Sequence, residues 1–211
     1  MLFENKSPQS TPNILIVMAL PMENVGNQLD AFGEIIYTGI GKVNAALHLT
    51  ERLSQAVAGQ AKRPDLVINL GSAGAQQRPT GSILACTRFV QRDMQLLALG
   101  YAWGQTPFEE YDSIEMPLPL GWQALGLTEA VCYTGDQFVT EPHPFFELDV
   151  VDMEGYALAR VCKHFDVPLL SLKFITDGAD GQAGNDWQEA LAEATRALRQ
   201  VMGQAVQLGL C

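Results

Sequence analysis

The chain has 211 residues, of which 47% are hydrophobic, and a formal net charge of −11 at pH 7. A chain of this length can bury one complete core, so we expect a single domain. The acidic balance and the lack of any Lys or Arg run argue against nucleic acid or an anionic membrane surface as a partner.

Residues 1–12 are polar and predict a disordered lead-in, which leaves residues 13–211 for the domain. No apolar run approaches the roughly 18 residues of a membrane helix, and the amino-terminal stretch has no signal-like apolar core. The four cysteines show no CxxC spacing, which argues against a zinc site or a disulfide framework. We therefore expect a soluble, cytoplasmic protein with free thiols.

The first apolar run, residues 13–19, has the length and continuity of a central strand. It ends at the residues Leu-Pro-Met-Glu, so Glu23 is expected where a strand meets a helix. The spacing of the next apolar residues predicts that this helix is short and amphipathic. Those residues are Val25, Leu29 and Phe32.

A second strand is predicted over residues 34–38, followed by the glycine-rich residues 39–42 and a helix from Val43 to about Ala58. Glycines allow close backbone approach to a ligand, and a helix amino end would offer amide donors to an anion or a hydroxyl. A P-loop is rejected because Val43 stands where Ser or Thr must hold magnesium. A dinucleotide fingerprint is rejected because Asn44 replaces the third glycine.

The run 66–70 predicts a third strand that ends in the small residues 71–74. Ser72 is a poor candidate for a nucleophile elbow because Leu70 stands where glycine is needed, and a tight turn is the alternative interpretation. A further strand is predicted over residues 83–90. Residues 92–119 have scattered aromatic side chains without a period, and we expect a loop that forms a lid or a contact surface.

The stretch 150–180 places a carboxylate at each of two predicted strand ends, with a helix between them. Glu154 follows the strand that ends at Val151 and begins the helix to Phe165. Asp177 follows the strand 169–176. Ligands bind at such strand ends in α/β sheets, so the two carboxylates could face one pocket from neighbouring strands. The alternative is that Glu154 only begins its helix and Asp177 only makes a turn.

Two further elements complete the pattern: a short strand over residues 131–134 and a closing helix from Asp186 to about Leu208. Strands alternate with helices along the chain, and small or acidic residues follow the strands. This order predicts an α/β fold with a mostly parallel sheet covered on both faces.

Six motifs, in this order, resemble the nucleoside phosphorylase and nucleosidase superfamily, and most closely its 5′-methylthioadenosine/S-adenosylhomocysteine nucleosidases. They are ALPME at 19–23, GIGKVNAA at 39–46, INLGSAG at 68–74, TGDQF at 134–138, VDMEG at 151–155 and FITDGAD at 174–180. The resemblance spans roughly residues 13–205. It implies a single domain around a mixed, barrel-like sheet, a homodimer, a place in methionine salvage, and hydrolysis of the bond between adenine and a 5′-thioribose without metal or organic cofactor.

The resemblance also implies roles for single residues. Asp177 would protonate nitrogen 7 of adenine, which requires a raised pKa in a dry pocket. Glu23 would orient the attacking water with help from Ser72, and Glu154 would accept hydrogen bonds from the ribose hydroxyls. The other substrate contacts would be Met153 on the sugar, Phe138 on the face of adenine and the Val139 backbone on its edge, with Tyr101 and Pro107 closing the 5′-thio pocket of a neighbouring subunit.

The chain departs from the family pattern at several places: the hairpin expected between Phe32 and Gly39 is nearly absent, and Ser82 stands where Asp is usual. Lys173 stands near the expected water site, where many relatives have Arg, and Asp152 replaces a frequent Glu. Lysine offers a point charge rather than a planar fork, so the positioning of water or Glu23 is expected to differ.

Three alternative functions remain open at this point. A phosphorolytic relative would need cationic groups for phosphate, whereas the first strand ends in acidic Glu23. Another nucleosidase, such as one that acts on futalosine, would share the same carboxylates. A catalytically silent nucleoside-binding protein would have no need of Glu23, Glu154 and Asp177 together.

Overall fold

The computed structural model describes residues 12–109, 112–141, 147–180 and 183–211. Within these ranges the chain forms eight β-strands and three α-helices. The predicted lead-in lies outside the described residues except for Pro12. The strands are β1 Ile14–Met18, β2 Glu34–Tyr37, β3 Leu66–Gly74, β4 Ile83–Gln91, β5 Ser113–Glu115, β6 Thr128–Thr134, β7 Val150–Asp152 and β8 Leu169–Asp177, and the helices are α1 Lys42–Val57, α2 Gly155–Phe165 and α3 Ala183–Gln207.

Five strands pair in a closed ring, in the order β3, β7, β6, β4, β8 and back to β3. Strands β1 and β2 extend the sheet from β3, and β5 extends it from β4. The pairs β3–β7, β4–β5 and β4–β8 are antiparallel, and the other five pairs are parallel. The sheet is therefore mixed, mostly parallel and barrel-like, as the resemblance implied.

Helices cover both faces of the sheet, and alternate residues of β1 show why. Leu15 and Val17 point into a core shared with α1 and α2, whereas Ile14, Ile16 and Met18 point into a core shared with α3. Alternate side chains of a strand lie on opposite faces, so a continuous apolar run is the pattern of a strand covered on both sides. The prediction of an α/β fold is confirmed.

The prediction of an amphipathic helix after β1 is wrong. The chain forms three short 3₁₀ turns instead, at Pro21–Glu23, Val25–Asn27 and Asp30–Phe32. The Asn24 side chain accepts a hydrogen bond from the Leu29 backbone amide, which gives that amide a partner other than a helical carbonyl. Gly26 adopts a φ of 67°, which an α-helix does not allow.

Two other local predictions need correction. Strand β3 does not end at Leu70, because the small residues 71–74 continue to pair with β8. The segment predicted as loop over 92–119 contains a 3₁₀ turn at Leu97–Leu99 and the short edge strand β5, within the described residues. The extension of β3 and the strand β5 depend on pairing with strands elsewhere in the chain, which local sequence does not report.

Candidate active site

A cavity of about 240 Å³ lies where the ends of β1, β3, β7 and β8 meet the loop after β6. The three carboxylate side chains that the sequence analysis assigned to catalysis or binding, those of Glu23, Glu154 and Asp177, line this one cavity. The prediction that Glu154 and Asp177 face one pocket is confirmed, although their strands are not adjacent, because β7 and β8 both pair with β3. The other described lining residues are Ala19, Leu20, Ile40, Ser72, Ala73, Gly74, Arg92, Gln137, Phe138, Val139, Val151, Asp152, Met153, Thr176 and Trp187.

Glu23 is buried and held by three donors. Its Oε1 accepts hydrogen bonds from the Ser72 amide at 3.1 Å and from the Ser72 hydroxyl at 2.8 Å. Its Oε2 accepts one from the Leu20 amide at 3.1 Å. Ser72 in turn accepts a hydrogen bond from the Trp187 indole N–H at 2.7 Å. These bonds fix the orientation of the Glu23 carboxylate on the cavity wall.

Asp177 reaches the cavity through an irregularity in β8. The register between β3 and β8 shifts so that Gly74 pairs with Asp177 and Thr176 has no opposite residue. Such a bulge redirects the following side chain. The Thr176 hydroxyl and the Ala179 amide donate to the two carboxylate oxygens at 2.8 and 2.9 Å. Asp177 therefore makes the predicted turn and also lines the cavity.

Gly74 leaves the space that the Asp177 carboxylate occupies. A methyl group at residue 74 would lie 2.5 Å from Asp177 Oδ1, which is closer than real contacts allow. A small residue is therefore needed at the end of β3 to leave room for Asp177, and Gly74 also lines the cavity. Ser72 lies within the strand rather than in a tight turn.

Glu154 stands at the amino end of α2, but its side chain makes no capping bond there. Its Oε1 instead accepts a hydrogen bond from the Gly41 amide at 2.8 Å. Burial, reinforced by the negative charge of Asp152, raises the pKa of Glu154 to about 7. The interpretation that Glu154 only begins its helix is therefore wrong.

The amino end of α1 also differs from the sequence prediction. Its first amides were expected to be available to a ligand. The Gly41 amide instead binds Glu154, and the Lys42 amide donates to Asp136 Oδ1 at 2.9 Å. The helix end therefore stabilises two carboxylates of the protein itself.

Lys173 is the predicted site residue whose placement differs most from expectation. It does not line the cavity among the described residues but lies behind it, almost fully buried, with Nζ 2.8 Å from Asp152 Oδ2. Burial alone would lower the pKa of Lys173, yet the nearby Asp152 carboxylate raises it above its usual value. Burial likewise disfavours the charged form of Asp152, but Lys173 outweighs this effect and lowers its pKa. Direct substrate contact by Lys173 is therefore not supported.

The expected binding residues fall into two groups. Phe138, Val139 and Met153 line the cavity, and the Phe138 ring is 47% exposed. Tyr101 and Pro107 do not line the cavity of a single chain, and Tyr101 instead contacts Phe108 edge to face at 6.3 Å between ring centroids. Their contribution to a neighbouring subunit stays a prediction.

Sequence reasoning missed Trp187, Ile40, Thr176, Arg92 and Gln137 as lining residues. Ile40 and Thr176 lie inside recognised motifs, so their position could have been inferred. Trp187 lies in α3, far along the chain from Ser72, and nothing local indicates their contact.

The described residues form neither a metal-binding cluster nor a membrane-spanning helix. Among the described residues, no group of three or more His, Cys, Asp and Glu side chains could hold a metal ion. No α-helix in the described part of the chain is long and apolar enough to cross a membrane.

The fold and the cavity define an α/β protein with a carboxylate-lined site for a small molecule. The chain belongs to the phosphorylase superfamily, whose family model matches residues 34–207. It is 32% identical to a 5′-methylthioadenosine/S-adenosylhomocysteine nucleosidase from Actinobacillus succinogenes, over 82% of this chain and 80% of the relative. A nucleosidase of the same name from Geobacillus kaustophilus is also 32% identical, over 77% of this chain and 74% of that protein.

Two solved structures are similar to this chain in fold. A Helicobacter pylori nucleosidase variant with 5′-methylthioadenosine in its active site has a TM-score of 0.78 and 26% identity, covering 93% of this chain and 98% of that one. The native futalosine hydrolase of Helicobacter pylori has a TM-score of 0.74 and 26% identity, covering 92% and 98%.

Proposed function

We propose that the protein is a purine nucleosidase that hydrolyses the N-glycosidic bond of 5′-methylthioadenosine, S-adenosylhomocysteine or both. The products are adenine and the corresponding 5′-thioribose. Relatives of this name, 32% identical over most of the chain, support the activity. The observation that carries the mechanism is the placement of three carboxylates, Glu23, Glu154 and Asp177, on one cavity.

Each carboxylate has a separate task in the proposed mechanism. Cleavage leaves positive charge on the ribose and negative charge on the departing base, so the base must gain a proton and the sugar must meet water. Asp177 delivers the proton to nitrogen 7 of adenine. Glu23, held by Ser72, orients the water and accepts its proton.

Binding is assigned to the remaining lining residues. Glu154 accepts hydrogen bonds from the ribose hydroxyls while Gly41 holds its other side. Met153 packs on the sugar, Phe138 stacks on adenine and the Val139 backbone reads the edge of the base. Lys173 acts indirectly, since its charge neutralises Asp152 beside Glu154.

Hydrolysis is favoured over phosphorolysis by the charges on the cavity wall. Arg92 is the one cationic side chain among the described lining residues. Its guanidinium donates to the backbone carbonyls of Gly135 and Gln137, so part of its hydrogen-bonding capacity is already used. Phosphate binding normally requires convergent charge-assisted donors, and the carboxylates of Glu23, Glu154 and Asp177 would oppose it.

Adenine release from 5′-methylthioadenosine, measured with and without inorganic phosphate, tests this proposal. We expect the same rate in both conditions and free 5-methylthioribose as the product. A strict phosphate requirement with a ribose 1-phosphate product would establish phosphorolysis. Absence of turnover under both conditions would favour a silent nucleoside-binding protein.

Futalosine hydrolysis is the second candidate function. The solved futalosine hydrolase of Helicobacter pylori has the same fold and an identity similar to that of the nucleosidase structures. A side-by-side assay of futalosine and 5′-methylthioadenosine separates the two activities. A higher kcat/KM for futalosine would replace the primary assignment.

We also propose that the protein is a homodimer that shares residues between its sites. Exposed apolar side chains lie at the start of α1 and in the segment around Tyr101, and contiguous apolar surface commonly marks an interface. They are Val43, Leu47, Leu97, Leu99 and Phe108. The Lys42–Asp93 ion pair holds these two regions together, next to the lining residue Ile40.

Dilution tests the shared site. If Tyr101 and Pro107 close the 5′-thio pocket of the partner subunit, activity per chain should fall as the dimer dissociates. Sedimentation run beside the assay measures both quantities at the same concentrations. A fully active monomer would contradict the shared site.

A cytoplasmic location and a role in methionine salvage are also proposals. The free cysteines support the location, and the resemblance supports the role.

A further inference from the structure

An ionic cluster joins the start of α1 to the loop that follows β6. The Lys42 ammonium lies 2.5 Å from Asp93 Oδ1 and 3.5 Å from Asp136 Oδ2. The Asp136 amide donates to Asp93 Oδ2 at 3.0 Å. None of these three side chains has a task in the proposed chemistry, yet all lie beside the cavity residues Arg92 and Gln137.

Two consecutive amides at the amino end of α1 connect this cluster to Glu154. The Gly41 amide donates to Glu154 Oε1 at 2.8 Å, and the Lys42 amide donates to Asp136 Oδ1 at 2.9 Å. Gly41 has a φ of 93°, and a methyl group on it would lie 3.1 Å from Asp136 Oδ1. The two peptide planes meet at the Cα of Gly41, so fixing the Lys42 amide limits the Gly41 amide to the directions that rotation about the φ and ψ bonds of Gly41 can reach.

The loop that carries Asp136 also carries the residue assigned to adenine. Phe138 lies two residues further along and lines the cavity. On the other side of the loop, the Arg92 guanidinium donates to the carbonyls of Gly135 and Gln137. Asp136 therefore connects the loop assigned to adenine with the amino end of α1, where the Gly41 amide holds Glu154.

We propose that Asp136 is a positioning residue of the nucleosidase site, which acts by fixing the Gly41 amide against Glu154 and thereby couples the adenine loop to ribose recognition. This inference rests on the proposed function. Its essential element is the hydrogen bond that Asp136 accepts from the Lys42 amide. The ion pair is secondary, because partly exposed ion pairs contribute little by themselves.

A double-mutant cycle on kcat/KM for 5′-methylthioadenosine tests the coupling. We expect Asp136→Ala to lower kcat/KM about tenfold, the size of one lost hydrogen bond to a charged group. Glu154→Ala should cost more. In the Glu154→Ala background, Asp136→Ala should add less than about twofold, because the Gly41 amide then has no carboxylate to hold.

Two matched variants separate positioning from a general effect on folding. Asp136→Asn keeps a carbonyl oxygen for the Lys42 amide, so its kcat/KM should stay within about threefold of the parent protein. Asp65→Ala is the remote control, since Asp65 also accepts one backbone hydrogen bond, from the Asn13 amide at 2.7 Å, near the opposite ends of the strands. It should change stability but not kcat/KM. If Asp136→Ala does not fold, Asp136→Leu, which also lacks an acceptor for the Lys42 amide, takes its place in the cycle.

The pH profile supplies a readout that a purely structural role would not change. Asp152, Glu23 and Lys173 face the Glu154 carboxyl group from the elements around it. Loss of a hydrogen bond to the ionised form raises a carboxyl pKa. We therefore expect the acidic limb of kcat/KM to move to higher pH in Asp136→Ala and to stay in place in Asp65→Ala.

The outcomes are distinguishable. If the parent protein has no nucleosidase activity, the proposed function is contradicted before any variant is compared. An active parent in which the Asp136 and Glu154 losses multiply fully, or in which Asp136→Asn is as impaired as Asp136→Ala, overturns the positioning role and leaves the nucleosidase assignment intact.

Discussion

Two kinds of buried acidic side chain line the same cavity and differ in the groups that neutralise them. Glu23 and Glu154 on the cavity wall accept hydrogen bonds from uncharged donors, and neither forms an ion pair among the described residues. Asp152, which also lines the cavity, pairs with the buried Lys173 at 2.8 Å. We therefore expect a structural role for the paired carboxylate and contact with a substrate for the other two.

The pKa directions follow the same division. Glu154 has a pKa raised to about 7 by burial and by the neighbouring Asp152, whereas Lys173 holds the pKa of Asp152 below its usual value. The last residue of β7 and the residue two positions later therefore have carboxyl pKa values shifted in opposite directions. Such separation of pKa values is how one site performs two different tasks.

The largest expected effect concerns the proposed acid. Asp177→Asn should lower kcat by about 10²- to 10⁴-fold, because the amide can contact adenine but cannot protonate it. Nucleoside binding should be largely kept, since Asn fills the same space. Rapid-quench assays and calorimetry measure the two quantities, with Asp65→Asn as a control. Retention of most activity would show that the acid is assigned wrongly.

Substitutions in the buried Asp152–Lys173 pair should change the free energy of unfolding. Lys173→Met leaves the Asp152 carboxylate buried without its partner and should cost about 3–5 kcal/mol of unfolding free energy. The double variant Asp152→Asn/Lys173→Met should recover most of this loss, because no uncompensated charge remains. Urea unfolding measures both. A cost below about 1 kcal/mol for the single variant would contradict a structural pair.

The smallest effect is a pH dependence caused by Glu154. Its pKa is about 7 in the folded protein against an ordinary value of 4.5, so the folded state binds the proton more tightly than the unfolded state. The resulting stabilisation is complete below pH 4.5 and is lost as pH rises through 7, on the order of 3 kcal/mol. Glu154→Gln should lack this decline in urea unfolding between pH 4.5 and 7.5. Parallel pH curves for both proteins would refute the shift.

The same substitution also bears on substrate capture. Glu154→Gln should weaken binding of the ribose nucleoside more than that of free adenine, because only the nucleoside presents hydroxyls to residue 154. Competition by adenine, measured beside KM for ribose and 2′-deoxyribose substrates, checks this. Equal losses for both sugars would argue against hydroxyl recognition.

The sequence by itself determined the α/β class, most element positions and the three cavity carboxylates. Continuous apolar runs such as residues 13–19 specify strands covered on both faces, because period and burial are local properties of the chain. The six motifs, in order, indicated the family, and the family model and the relatives confirmed it. Local signals failed where a side chain replaced a helical partner, as Asn24 does after β1.

Only the tertiary structure decided which residues hold the cavity side chains in place. Lys173 was expected beside the water, but its Nζ is committed to Asp152. The amino end of α1 was expected to hold a ligand, but it binds Glu154 and Asp136. Trp187 reaches Ser72 across 115 positions of the chain. Each of these contacts joins residues far apart in sequence, and their choice of partner depends on closure of the sheet, which no local pattern encodes.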